Sequence, residues 1–145
     1  MVTFDSLASH SVRKKKYKMA LLEYIKDYYR DGGFDSEEDA VKDFIYAASL
    51  GIATVGIWYG AVYADIVREF YLPHRYELRG SVLHYLKKAD PEAYKKVRAG
   101  RDCECVPEIG SILCRIVDEM AYNWANKLAA KMGIPTPQSH FIRLV

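Results

Sequence analysis

The stretch from Phe44 to Ala64, FIYAASLGIATVGIWYGAVYA, is 21 residues without a charge, closed by Asp43 on one side and Asp65 on the other. Such a run cannot lie along a wet surface. Built as one helix it would extend about 30 Å, which suits the middle of a compact helical domain or the hydrocarbon core of a bilayer. Three features weigh against the bilayer. Trp58 and Tyr59 lie well inside the run, whereas a membrane-interface aromatic belt sits at its ends. Glu37, Glu38 and Asp39 precede it closely, and Ala, Gly, Ser and Thr dilute its large apolar residues. The run reads as a buried central or interface helix, with a single-pass membrane protein as an alternative.

Within it, Ser49, Ala53, Gly56, Gly60 and Ala64 recur every three or four residues and would form one face of small side chains. Glycine inside a helix costs about 1 kcal/mol relative to alanine, and close approach of another backbone would offset that cost. The expectation is a packing and assembly face on a helix that opens at Ser36 and runs to Tyr71, before Pro73. Ser36 resembles an N-cap, followed by Glu37, Glu38 and Asp39 where the helix dipole favours acids.

Upstream, Met1 to His10 has no period and little bulk and reads as an arm. Arg13, Lys14, Lys15, Lys16 and Lys18 are interrupted only by Tyr17, and MALLEYIKDYYR follows, so one helix is expected from Ser11 to Arg30. Its stripe would be Tyr17, Leu21, Tyr24 or Ile25, and Tyr28. Asp31-Gly32-Gly33 would end it. Downstream, a short helix should end before Asp90. Asp90-Pro91 should cap another that stops at Gly100. The last helix should span Pro107 to Lys131 with Ile109, Leu113, Ile116, Met120, Trp124 and Leu128 inward. With no strand signal, the fold class is all-α: a helical bundle with a basic N-terminal arm and helix. The arm and helix take residues 1–35, the body 36–133 and a tail 134–145.

The length of 145 residues suits one domain, and 50% apolar with 28% charged residues is the composition of a globular chain. Polar and basic residues in MVTFDSLASHSVRKKK stand where a secretory signal would be apolar, so a cytoplasmic start is expected. Cys103, Cys105 and Cys114 are an odd set without a fourth ligand at zinc spacing, and no metal or cofactor is expected. His10, His74, His84 and His140 are scattered. No Walker loop, nucleophile elbow or kinase signature is present, so the chain does not read as an enzyme and no small-molecule substrate is expected.

The stronger signal is positive charge. Phosphate backbones are bound through many Lys and Arg contacts with release of counterions. Arg13, Lys14, Lys15, Lys16 and Lys18 supply one cluster. A broader one follows Pro73, of which Arg75, Arg79, Lys87 and Lys88 are the candidate contacts. A short, tyrosine-rich, all-helical chain with a basic arm (Met1 to Arg30) and a helical body with a small-residue helix (Glu37 to Lys131) resembles the major capsid proteins of filamentous and rod-shaped archaeal viruses. The resemblance implies a subunit that dimerises, alone or with a related capsid chain. It would wrap double-stranded DNA without sequence specificity and assemble into a helical virion after synthesis in the host cytoplasm. The alternative is a small helical RNA-binding or adaptor subunit of a larger complex.

Overall fold

The computed structural model describes residues 3–9, 15–53 and 63–135. Among them there is helix and no strand, as the all-α reading requires. In chain order the α-helices are α1 (Lys16–Arg30), α2 (Glu37–Ser49), α3 (Tyr63–Ile66), α4 (Arg75–Ala89), α5 (Pro91–Arg98) and α6 (Val106–Met132). A π turn, Val67–Tyr71, and a 3-10 turn, Leu72–His74, lead from α3 into α4. The chain divides into two compact units, one from residues 1–59 and 117–141, the other from 60–116 and 142–145.

In the first unit, α1 buries Tyr17, Leu21, Leu22, Ile25 and Tyr29, and α2 buries Val41, Phe44, Ile45 and Ala48. Tyr28, expected inside, is 41% exposed, and Tyr29 takes its place. The stripe that begins at Tyr17 therefore runs through Ile25 to Tyr29, four residues at a time. The helix expected from Ser11 begins at Lys16, because Lys15 is extended. The arm reading is corrected as well. Phe4–Ser9 forms a 3-10 helix, and the Phe4 ring, 3% exposed, lies 5.6 Å from Tyr29 and 5.8 Å from Phe44. The Phe4 amide donates to Glu37 Oε1 at 2.9 Å, Lys26 Nζ meets Asp5 Oδ1 at 2.7 Å, and Lys131 Nζ donates to the Ser6 carbonyl at 3.0 Å. The hydrogen bond to Asp5 holds the Lys26 ammonium above its ordinary pKa. One buried ring, worth about 2 kcal/mol, turns a segment with no period into a docked element.

Ser36 caps α2 as expected, its Oγ accepting from the Asp39 amide at 3.2 Å. The far end of that helix is the largest departure from the sequence reading. The helix expected to reach Tyr71 stops at Ser49, where Gly51 takes φ +73° and the chain turns. The Gly51 amide donates to the Ala48 carbonyl at 3.1 Å and the Ile52 amide to the Ala47 carbonyl at 3.1 Å. These two bonds are a Schellman closure, which satisfies carbonyls at a helix end and needs a left-handed residue that glycine alone adopts without strain. Gly100 and Gly133 close α5 and α6 with the same pair of bonds, at the places the sequence marks.

The small-residue face is therefore not one helical face. Ser49 ends α2, its Oγ donating to the Tyr46 carbonyl at 2.7 Å; Ala53 is buried beyond the turn; Ala64 is exposed on α3. Gly56 and Gly60 lie outside the described residues. The continuous 21-residue helix that a membrane span would need is interrupted at Gly51. Among the described residues no helix is long and apolar enough to cross a membrane.

The second unit is built on α4, whose Leu78, Val82 and Leu86 are fully buried, and on α5, which buries Ala93 and Val97. Asp90 caps α5, accepting from the Ala93 amide at 3.1 Å, with Pro91 at the first helical position. Ile109, Ile112, Leu113 and Ile116 of α6 belong to this core; Val117, Ala121, Trp124, Ala125, Leu128 and Ala129 belong to the core of the first unit.

Candidate nucleic-acid interface

Of the first basic cluster, Arg13 and Lys14 lie outside the described residues. Lys15 occupies the N-cap position of α1 and makes no side-chain cap; Lys15 and Lys16 are exposed, and Lys18 is half-buried. The first turn of α1 contains no acid, whereas that of α2 contains three. The partial positive charge of the α1 terminus thus adds to three lysines, which makes this end of the first unit attractive to anions.

The four candidates on α4 separate into two kinds. Arg75 Nε stands 3.2 Å from Asp102 Oδ2, and the Tyr71 hydroxyl donates to the same oxygen at 2.8 Å. Asp102 is 7% exposed, so its charge is held by these two neighbours instead of water. Burial first, then the bond to Asp102 and its charge, push the Tyr71 phenol well above its ordinary pKa. Arg79 Nη2 donates to the carbonyls of Val97 and Arg98, both at 3.0 Å. Those carbonyls end α5, where the Val97 carbonyl also accepts from the Gly100 amide at 3.0 Å, so Arg79 adds a side-chain cap to the neighbouring helix. Asp102 Oδ1 and Arg79 Nε find no partner among the described residues, so the network is incompletely satisfied. Arg75 and Arg79, expected to contact phosphate, are half-buried and each engaged by a partner in its own unit. A guanidinium can satisfy a carboxylate or two carbonyls with its planar fork, which is why arginines are the ones drawn in.

Lys87 and Lys88 are exposed in the last turn of α4 and make no ion pair among the described residues. They continue a line that sequence reasoning passed over. Tyr76, Gly80, His84 and Lys87 follow one another at spacings of four, four and three, and all are exposed. Tyr76 is 102% exposed, and a Cβ built on Gly80 would meet nothing within 4 Å. The line spans about 16 Å along the helix. It begins with an aromatic ring and a bare backbone, passes His84, and ends at Lys87 with Lys88 beside it. The signal was present in the three- and four-residue spacing outward from Lys87, but it is the complement of the buried stripe and stands out only once Leu78, Val82 and Leu86 are known to point inward.

Cys103 is exposed, Cys105 buried and Cys114 between the two, and the structure joins no pair of them. Burial raises the Cys105 thiol above its ordinary pKa. Among the described residues no three His, Cys, Asp or Glu side chains are grouped to hold a metal ion. No family model, no curated protein and no solved structure matches this chain.

Proposed function

We propose that the protein is a structural nucleoprotein that binds duplex DNA without sequence specificity and packs with copies of itself into a helical assembly. The observation that carries this reading is the outward line of α4. It ends in Lys87 and Lys88, two exposed cations that make no ion pair among the described residues, and begins with a ring and a glycine against which a sugar-phosphate strand can lie closely. Lys15, Lys16 and Lys18 at the uncapped end of α1 supply the contacts of the first unit. Lysine suits sequence-independent binding, because it senses phosphate charge and not a base edge. The layout shared with capsid proteins of filamentous and rod-shaped archaeal viruses makes a nucleocapsid the assembly in which such a subunit would act. The turn at Gly51 separates Ser49 from the other small residues, so a face that includes Ser49 does not support the reading.

The test is binding to long mixed-sequence duplex DNA over a salt series, with light scattering on the same samples. Tight binding should weaken linearly on a log–log plot against salt, and the slope should shrink by about 0.9 for each phosphate contact removed. Lys87→Ala and Lys88→Ala should each produce that reduction. Wild-type protein that ignores DNA at low salt would overturn the proposal.

A further inference from the structure

The turn between α1 and α2 brings together three aromatic rings and three carboxylates. Tyr24, Tyr28 and Phe34 with Asp27, Asp31 and Asp43 line an open groove of about 460 Å³. Tyr28 and Phe34 are 41% and 36% exposed, which leaves large ring surface in water inside one concavity. The Phe34 wall is fixed from two sides. It stacks on Tyr29 at 5.9 Å, and it lies so close over Gly32 that a Cβ there would come within 2.7 Å of the ring. Asp27 has Arg30 at 3.8 Å on the surface, while Asp31 and Asp43 make no ion pair among the described residues.

Ring faces attract cations through their quadrupole, and carboxylates beside them add charge attraction. The methylene stem of a lysine can lie along the apolar wall while its ammonium reaches the acids. The groove therefore fits a cationic side chain. The densest positive run in the second unit is Lys95-Lys96-Val97-Arg98-Ala99-Gly100-Arg101, four cations without an acid. Within it Arg101 is held by both oxygens of Glu104, and Arg98 stands over the Tyr94 ring. Lys95 and Lys96 are exposed; Lys95 has only a surface contact with Glu92 at 3.4 Å, and Lys96 makes no ion pair among the described residues.

We propose that the acidic aromatic groove of one copy receives Lys95 and Lys96 of a second copy. The groove and the lysine run are different stretches of the chain, so the contact joins unlike surfaces and propagates from copy to copy wherever its rotation does not close. This names the assembly contact of the function proposed above and rests on that reading.

The experiment is sedimentation velocity of the full chain without nucleic acid, over a range of concentration and salt. Wild type should associate at low salt and dissociate as salt rises. Asp31→Lys with Asp43→Lys, and separately Lys95→Glu with Lys96→Glu, should each weaken association by roughly tenfold or more. Mixing the two doubly substituted proteins should restore it, because the opposite charges then meet across unlike copies. Gly32→Ala, which displaces the Phe34 ring and leaves every charge in place, should weaken it less. Circular dichroism checks that each variant is folded. A wild type that stays monomeric, a groove variant that associates like wild type, or a mixture that remains monomeric would each overturn the proposal. DNA binding measured on the same proteins reports separately: wild type that associates but ignores DNA would remove the nucleoprotein reading and leave the contact standing.

Discussion

Arg75 and Arg79 open α4, and Lys87 and Lys88 close it, four cations on one helix of fifteen residues. The arginines sit beside the buried stripe and are absorbed by partners from elsewhere in the second unit, Asp102 and the last carbonyls of α5. The lysines sit on the opposite side and face water. Equal charge on one helix is thus engaged by its own unit at one end and faces water at the other. What separates them is angular position. Arg75 and Arg79 lie within a turn of Leu78, whereas Lys87 lies on the line through Tyr76 and Gly80 that points away from it.

The comparison breaks most sharply at Asp102. Asp102→Ala leaves the Arg75 guanidinium and the Tyr71 hydroxyl without their acceptor and should cost about 3 kcal/mol, read by urea denaturation. DNA affinity of the folded variant at low temperature should stay near that of wild type. The converse change, Lys87→Glu with Lys88→Glu, should lower DNA affinity by roughly tenfold to a hundredfold at moderate salt, since each site moves from attraction to repulsion. Its thermal midpoint should hardly move, because exposed lysines contribute little to stability. If this pair changed stability and left binding intact, the two ends of α4 would have been assigned the wrong way round.

Arg79→Met comes next, at about 1.5–2 kcal/mol, because two helix-end carbonyls lose a charged donor while the stem still fills its place. Hydrogen exchange should show the effect as faster opening of the last turn of α5. Arg79→Lys should recover part of the loss, since one ammonium can still point at a carbonyl. The smallest effect at neutral pH, and the one that isolates the buried end, is titration of Tyr71. Its folded-state pKa is raised, so the stabilising contribution is complete below the unfolded value of about 10 and is lost as pH climbs from there through the folded value. Burial raises Tyr29 in the same direction. Absorbance of phenolate should show these two ionising late, with alkaline unfolding.

Helix boundaries were legible in the chain wherever their chemistry is local. Ser36 and Asp90 each bond an amide three residues on, and Gly100 and Gly133 accept φ values of +84° and +71° that complete bonds spanning six residues. Such signals need only neighbours in sequence, so reading them requires no fold. Gly51 uses the same chemistry but was hidden inside the apolar run, where an uncharged stretch reads as helix throughout. Only the fold showed that the chain turns there and separates Ser49 from Ala53 and Ala64. The docking of Phe4 depends on Tyr29 and Phe44, and the fates of Arg75 and Arg79 depend on Asp102 and Val97. Those partners lie 18 to 40 residues away along the chain. A buried ring or a satisfied charge is a property of the pair, and the fold chooses the pair. The sequence alone therefore marked the helix ends set by Ser36, Asp90, Gly100 and Gly133, and where positive charge clusters. Which cations remain for a partner was decided by tertiary contacts, because a charge is withdrawn from the surface only where the fold brings it an acceptor.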